Sequence, residues 1–190
     1  LLLLLMGIFS ILFGAAWAAI PASFKARWGT NETLFTLMMN YIAIGIVGWL
    51  QGGPWEGKPG SQIIPMFDQA AVLPKVFGVH CGWIIVLLLT AGMYIYMNYT
   101  KHGYEVAVLG ESENTARYAG MNVTKVTIRT ACLSGGICGL IGFMICSGTH
   151  MTLYADVAGG VGFTAIVVAW LAQFNPFAMI AISLLLAVLE

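Results

Sequence analysis

The sequence predicts an all-α protein, a polytopic transmembrane helical bundle. Three observations carry this. The 190-residue chain is 59% hydrophobic and 8% charged, where an ordinary soluble domain is about 25% charged, and its mean hydropathy is +0.88. Apolar runs near the roughly 20 residues needed to cross a bilayer core recur along it. The polar residues are gathered into a few connections. The largest is residues 100–129, which hold Lys101, Glu105, Glu111, Glu113, Arg117, Lys125 and Arg129 of the 16 charged side chains.

Residues 1–20 read as the first span and residues 21–29 as a short basic turn with Lys25 and Arg27. The opening Leu1 lies inside an apolar run, without an initiator Met or a basic region before it, and Glu190 closely follows another. The expectation is a single domain over 1–190 that is a fragment truncated at both ends. Residues 32–50 form the second span. On it Glu32, Thr36 and Asn40 recur every four residues as one polar stripe. Polar groups within a span usually face the bundle interior or a water-filled cavity, so Thr36 and Asn40 are candidates for lining a substrate pathway. A structural role is the competing reading. Asn31 has the form of an N-cap, and Glu32 in the first turn suits the helix dipole.

Residues 51–80 make a long connection with Pro54, Pro59, Pro65 and Pro74. Residues 63–73 are apolar with a polar fringe, suited to lying on the membrane surface or to receiving an external partner. The third span covers 81–99 and the fourth about 128–147. On the fourth, Ala131, Gly135, Gly139 and Gly142 form a small-residue face of the kind that lets helices approach closely.

Residues 161–173 are an apolar stretch of about 13 residues, too short to cross, and Asn175-Pro176 breaks the helix, so that 159–174 is expected to be a half-helix near a transport path. This reads as a short broken or re-entrant helix sheltered by protein. The alternative is a tilted span running through the proline. Thr164, Trp170 and Asn175 offer hydrogen bonds and an aromatic face that suit a sugar or nucleobase ring, although aromatic side chains also serve as packing and interface anchors. A further span begins at 177–189.

Lys25, Arg27, Lys101, Arg117, Lys125 and Arg129 fall on one side of the predicted membrane, and Lys58 and Lys75 on the other. The positive-inside rule puts the side with six in the cytoplasm. Residues 100–129 are then cytoplasmic. Glu105 to Leu109 and Glu113 to Ala119 are good helix formers, with Gly103, Gly110 and Gly120 as caps or turns between them. A helical hairpin held by two spans suits being gripped by a partner, and also fits a solvated connection with none.

The four cysteines form no C-x-x-C pair, and the zero net charge argues against a nucleic-acid partner. No phosphate-binding loop, nucleophile–base set or zinc spacing occurs, so neither ATP hydrolysis nor a cofactor is expected of this chain.

The run T-x-x-G-Y-E-V-x-V-L-G-E-S-x-N-T-A-R-Y-A-G-M-N-V from Thr100, with the small-residue helix from Ser134 to Gly142, resembles the coupling loop of permeases of ATP-binding-cassette importers. The branch is the one for nucleosides and simple sugars, related to ribose and branched-chain amino acid permeases. Residues 24–33 with 36–41, and residues 160–176, look like two further signatures of that branch. The sequence departs from the family at Ala107-Val108, where a basic residue is usual.

The resemblance implies a multi-pass permease subunit in a bacterial inner membrane. Its partners would be a separate ATPase subunit, a second permease subunit (like or unlike this one), an external substrate-binding lipoprotein, a small-molecule substrate and the lipid bilayer. Gly103, Glu105, Gly110, Asn114, Ala116, Arg117 and Gly120 would belong to the cytoplasmic coupling loop that docks on the ATPase. The residues at 31–41 lean toward nucleosides over ribose-like sugars. A channel independent of ATP is the reading from another class.

Overall fold

Four short polar side chains set four helix starts. In the computed structural model, which describes residues 2–57, 60, 64–67, 71–73, 75–76 and 79–189, Asn31 Oδ1 accepts from the backbone N–H groups of Thr33 and Leu34. Thr100 Oγ1 accepts from Gly103 N at 3.2 Å, Ser112 Oγ from Thr115 N at 3.3 Å and Asn122 Oδ1 from Lys125 N at 3.1 Å. Each satisfies a donor that a helix start leaves without an intrahelical partner. All four lie at one end of the bundle, where the basic residues also gather.

The element order is α1 (Leu2–Trp28), α2 (Glu32–Gln51), a two-residue antiparallel ladder of β1 (Lys75–Val76) and β2 (Val79–His80), α3 (Gly82–Tyr99), α4 (Lys101–Glu111), α5 (Glu113–Tyr118), α6 (Val123–Met144), a π-helical segment (Ile145–His150), α7 (Val161–Leu171) and α8 (Pro176–Leu189). The stretches Leu2–Trp28, Glu32–Gln51, Gly82–Tyr99 and Val123–His150 are long and apolar enough to cross a membrane. Large apolar side chains such as Leu4, Trp49 and Leu88 are exposed on their outer faces. That pattern suits a protein whose solvent is lipid. The all-α bundle is therefore as expected, with the short ladder an unforeseen detail among the described residues.

Three expectations need correction. The predicted basic turn at 21–29 is helical as far as Trp28, with Pro21 inside α1. Proline is tolerated within a membrane helix when neighbouring groups absorb the freed carbonyl, and here Pro21 and Ala22 are buried in the bundle. Residues 123–129 belong to α6 rather than to the polar connection, because Asn122 caps the helix there. Gly110 lies inside α4; the break before α5 is made by Ser112, whose extended backbone (φ −159°, ψ 121°) ends one helix and caps the next. Leu1, Lys58, Pro59, Ile63 and Pro74 from the sequence reading, and the side chain of Lys75, lie outside the described residues.

The α1–α6 pair is the most extensive contact in the fold. Its small residues face each other as the sequence pattern proposed for Gly135 and Gly139. A Cβ on Gly135 would stand 2.5 Å from the Gly14 carbonyl oxygen, one on Gly14 3.0 Å from Gly139 Cα, and one on Gly139 3.0 Å from the carbonyl carbon of Ser10. Ser10 Oγ donates to Gly139 O. The two backbones are thus in contact over about two turns.

At the opposite end from the caps, the chain is knotted by hydrogen bonds between distant segments. Ser147, fully buried, donates through Oγ to Ala71 O at 2.8 Å, and Leu73 N donates to Ser147 O at 3.1 Å. Phe67 N donates to Met151 O at 2.8 Å, and Thr152 Oγ1 to Ile64 O at 3.0 Å. Ala155 N donates to Gln51 Oε1 at 3.2 Å. The π-helical turn and the residues after it therefore hold residues 64–67 and 71–73 down on the bundle.

α7 is 11 residues long, about 16 Å at helical rise, or roughly half a hydrocarbon core. Gln173 and Phe174 both adopt the left-handed region (φ 50° and 58°), which reverses the chain before Pro176 opens α8. The helix is short, as expected, with bounds tighter than 159–174, but it is not sheltered as expected: among the described residues α7 is exposed along most of its length, with Val168 buried.

Replacing Gly135 by Leu is expected to drive α1 from α6 and lower stability by about 1–3 kcal/mol or more. Gly142→Ala, where an added Cβ meets nothing within 4 Å, leaves it unchanged; thermal unfolding in detergent reads both. Ser147→Ala leaves the Ala71 carbonyl without its donor, at a cost of about 1–2 kcal/mol, and accelerates limited proteolysis within 64–73.

Candidate functional site

Helices α1 and α2 meet at the polar end, where Phe24 and Phe35 stack with ring centroids 4.9 Å apart and Lys25 Nζ pairs with Glu32 Oε2. From there they leave a cleft of about 1,550 Å³ bounded by α1, α2 and α6. Its volume exceeds that of most small-molecule sites, which run about 300–1,000 Å³. The side toward the knot is bounded by Phe67, Cys146, Leu153 and Val157; Leu109 and Gly110 of α4 reach it from the polar end.

The polar stripe of α2 faces this space: Glu32, Thr36 and Asn40 all line it. Their surroundings differ. Thr36 Oγ1 donates back to Glu32 O at 2.9 Å and approaches Thr33 O at 3.1 Å, so its donor is used within the helix. Glu32 is engaged by Lys25. Asn40 is exposed to the cleft, and its carboxamide has no hydrogen-bond partner among the described residues. It stands about 12 Å along the helix from Glu32, near the middle of α2.

Thr164, Trp170 and Asn175 are not brought to the cleft. Thr164 and Trp170 are exposed on α7, with Trp170 against Phe174. Asn175 Oδ1 accepts from Phe177 N at 3.1 Å, which caps the start of α8. Tyr94 touches Phe177 and links α3 to α8.

The connection at 100–122 is built as two helices on an elbow. Thr100 ends α3 and starts α4. Its Oγ1 donates to Tyr96 O at 2.7 Å while accepting from Gly103 N. A Cβ on Gly103 would stand 2.7 Å from the Met97 carbonyl carbon, so the elbow closes only on glycine. Tyr96 Oη and His102 Nδ1 are 2.7 Å apart across the same bend. Glu105 is half-buried on α4.

On α5, Ala116 is buried, Asn114 is exposed, and Arg117 pairs with Glu113 at 2.5 Å on the outer face. Tyr118 is 93% exposed, an unusual setting for an aromatic ring at the tip of a polar hairpin. Gly120, at φ 75°, ends α5; Gly120 N donates to Arg117 O and Met121 N to Ala116 O, both at 3.0 Å. The left-handed glycine is what lets α5 turn into α6.

Sequence reasoning did not single out Ser134, which faces the cleft from α6, or the knot around Ser147. Ser134 was visible as the one hydroxyl in a run of small residues, yet the run read only as a packing face.

The family of permease components described as branched-chain amino acid transport system matches the chain over residues 1–190. A glucose ABC transporter permease protein of Haloferax volcanii, TsgB13, is 31% identical over 99% of this chain and 53% of its own length. The guanosine ABC transporter permease protein NupP of Bacillus subtilis is 33% identical over 83% of this chain and 47% of its own. The nucleoside ABC transporter permease protein NupB of Lactococcus lactis is 23% identical over the whole chain and 56% of its own. The chain thus spans about half the length of these relatives. No solved structure matches it significantly. With a family match over the full chain and four helices fit to cross a bilayer, this is a membrane protein, and it belongs to the family of branched-chain amino acid transport system permease components.

Proposed function

We propose that the chain is the membrane domain, or part of it, of a permease subunit of an ATP-binding-cassette importer, and that it forms the path for a nucleoside. The observation that carries this reading is the cleft between α1, α2 and α6, with the unpartnered Asn40 carboxamide at membrane depth. An unpaired amide in an apolar helix is costly. It is retained where it meets water or a polar solute. The guanosine and nucleoside permeases among the relatives support the substrate class. A simple sugar is the second reading, supported by the 31% identical relative named for glucose.

Residues 100–122, the part of the 100–129 stretch outside α6, are the cytoplasmic coupling segment in this reading. α5 presents Asn114, the Glu113–Arg117 pair and Tyr118 outward to an ATPase subunit that hydrolyses ATP. Glu105, Gly110 and Ala116 link that surface to the bundle, and the close approach of Gly103 to Met97 and the left-handed turn at Gly120 fix its pose. α4 touches the cleft through Leu109 and Gly110, so a push on the hairpin reaches the path directly. ATP supplies energy through differential binding of the ATPase to two states of the permease. A second permease subunit closes the open side of the cleft, and a substrate-binding lipoprotein delivers from the other face. The setting is a bacterial inner membrane.

The deciding experiment is uptake of radiolabelled guanosine, uridine and ribose by cells carrying the full-length protein and its partners, with and without ATP depletion. ATP-dependent nucleoside uptake that ribose does not compete is expected. Ribose uptake moves the substrate to the sugar class, and uptake indifferent to ATP overturns the importer reading.

Two variants probe the parts. Asn40→Cys, in a background without Cys81, Cys132, Cys138 and Cys146, is expected to react with a water-soluble thiol reagent and to be shielded by guanosine; an inert thiol places Asn40 in packing. Reversing Glu105 and Arg117 together, as E105K/R117E, is expected to cut stimulation of the ATPase by about tenfold, in keeping with a loss of roughly 1.4 kcal/mol of contact energy. Unchanged stimulation removes these residues from the docking surface.

A further inference from the structure

The cleft wall has a second polar group in the same condition as Asn40. Ser134 lies on α6, lines the cleft and is exposed to it, and its hydroxyl has no hydrogen-bond partner among the described residues. The other hydroxyls of the wall are occupied. Ser10 bonds Gly139 O, Thr36 bonds Glu32 O, Thr127 bonds Val123 O and Thr130 bonds Val126 O. The three threonines bond back to their own helix, as Ser and Thr within helices often do, and Ser10 crosses the seam to α6; Ser134 alone of these five hydroxyls is left free to meet the cleft.

Like Asn40, it lies near the middle of its helix. Ser134 stands about 16 Å along α6 from Val123, and Asn40 about 12 Å along α2 from Glu32. Both helices start at the polar end of the bundle. Helices α2 and α6 each pack on α1, with the cleft between them.

The charge of the wall adds a second constraint. Among the described residues lining the cleft, Lys25 and Glu32 are the charged ones, and they neutralise each other at the polar mouth. Nothing in the middle of the wall offers a counter-charge. An ionised group taken from water into such a space loses hydration with no partner to replace it. An uncharged solute with hydroxyls and ring donors or acceptors loses little, provided that hydrogen-bonding groups meet it.

We propose that Ser134 is a substrate-contacting residue that works with Asn40 from the facing helix, and that the pair selects uncharged hydroxyl- and amide-bearing solutes over their phosphorylated forms. Each side chain can donate and accept, so the two grip a neutral ring or sugar from both sides without fixing one orientation. The proposal rests on the transport reading above and adds to it a residue and a basis for rejecting charge.

The test is guanosine uptake by the complete transporter in proteoliposomes, with Ser134→Thr compared with Ser134→Val. The two replacements have nearly the same shape and differ in the hydroxyl. Loss of one substrate hydrogen bond is expected to raise KM about tenfold for Val, with the maximal rate held within about twofold. Thr should stay within about threefold of wild type, and guanosine monophosphate in large excess should not compete. Equal KM values for Thr and Val remove Ser134 from the contact set, and competition by the monophosphate as strong as by guanosine overturns the charge argument. Both outcomes leave the importer reading standing. Wild-type protein that does not carry guanosine overturns the nucleoside reading itself, and this assignment with it.

Discussion

Everything in the bundle depends on how closely α1 and α6 approach. In lipid there is no hydrophobic gain from bringing two apolar helices together, so their association rests on backbone contact and packing. Gly14, Gly135 and Gly139 remove the side chains that would hold the helices apart, and Ser10 crosses the seam to the Gly139 carbonyl. This contact leaves α1 and α6 as one unit. With it in place, α2 is joined to α1 by residues 29–31 at one end and leans away along its length, and the space so created is the cleft.

The polar end is organised by different physics. Here water is near, and short side chains close each helix: Asn31, Thr100, Ser112 and Asn122. Caps of this kind make sharp, local turns that need no core. They explain how six-residue α5 persists outside the bundle, with Ala116 as its buried residue. The hairpin is held at both ends by glycine, once by close approach to Met97 and once by a left-handed turn. A surface so anchored can receive force without melting.

Much of this was legible in the sequence. Hydrophobic length located the spans, because the bilayer sets a fixed requirement that ordinary cores do not. The four-residue spacing of Glu32, Thr36 and Asn40 placed them on one face, and that face does line the cleft. Small residues at Gly135 and Gly139 announced the seam. What escaped has a common cause. The ties from Ser147 to Ala71, Thr152 to Ile64 and Ala155 to Gln51 each join a side chain to a backbone group 76, 88 or 104 residues away, and the backbone half of such a bond leaves no mark on a local pattern. Pro21 looked like the end of a helix because the rule for proline is learned in water. Ser134 was hidden by its neighbours, since a serine among glycines reads as one more small residue. Thr164 and Trp170 had the right chemistry, but residue type does not say which helices will be adjacent.

Helix α2 is fastened at both ends. At one, the 29–31 turn and the Lys25–Glu32 pair bind it to α1; at the other, Gln51 receives the N–H of Ala155 from the segment that follows the π-helical turn. Its 20 residues make a rod of about 30 Å, and a helix bends far less readily than a loop. Such a rod acts as a strut. A displacement imposed at the polar end cannot be absorbed along it and arrives at the knot, where residues 151–155 also carry the 64–67 segment. In the importer reading proposed above, such a strut would gear the two mouths of the cleft to each other, the mechanical condition for a path that never stands open at both ends.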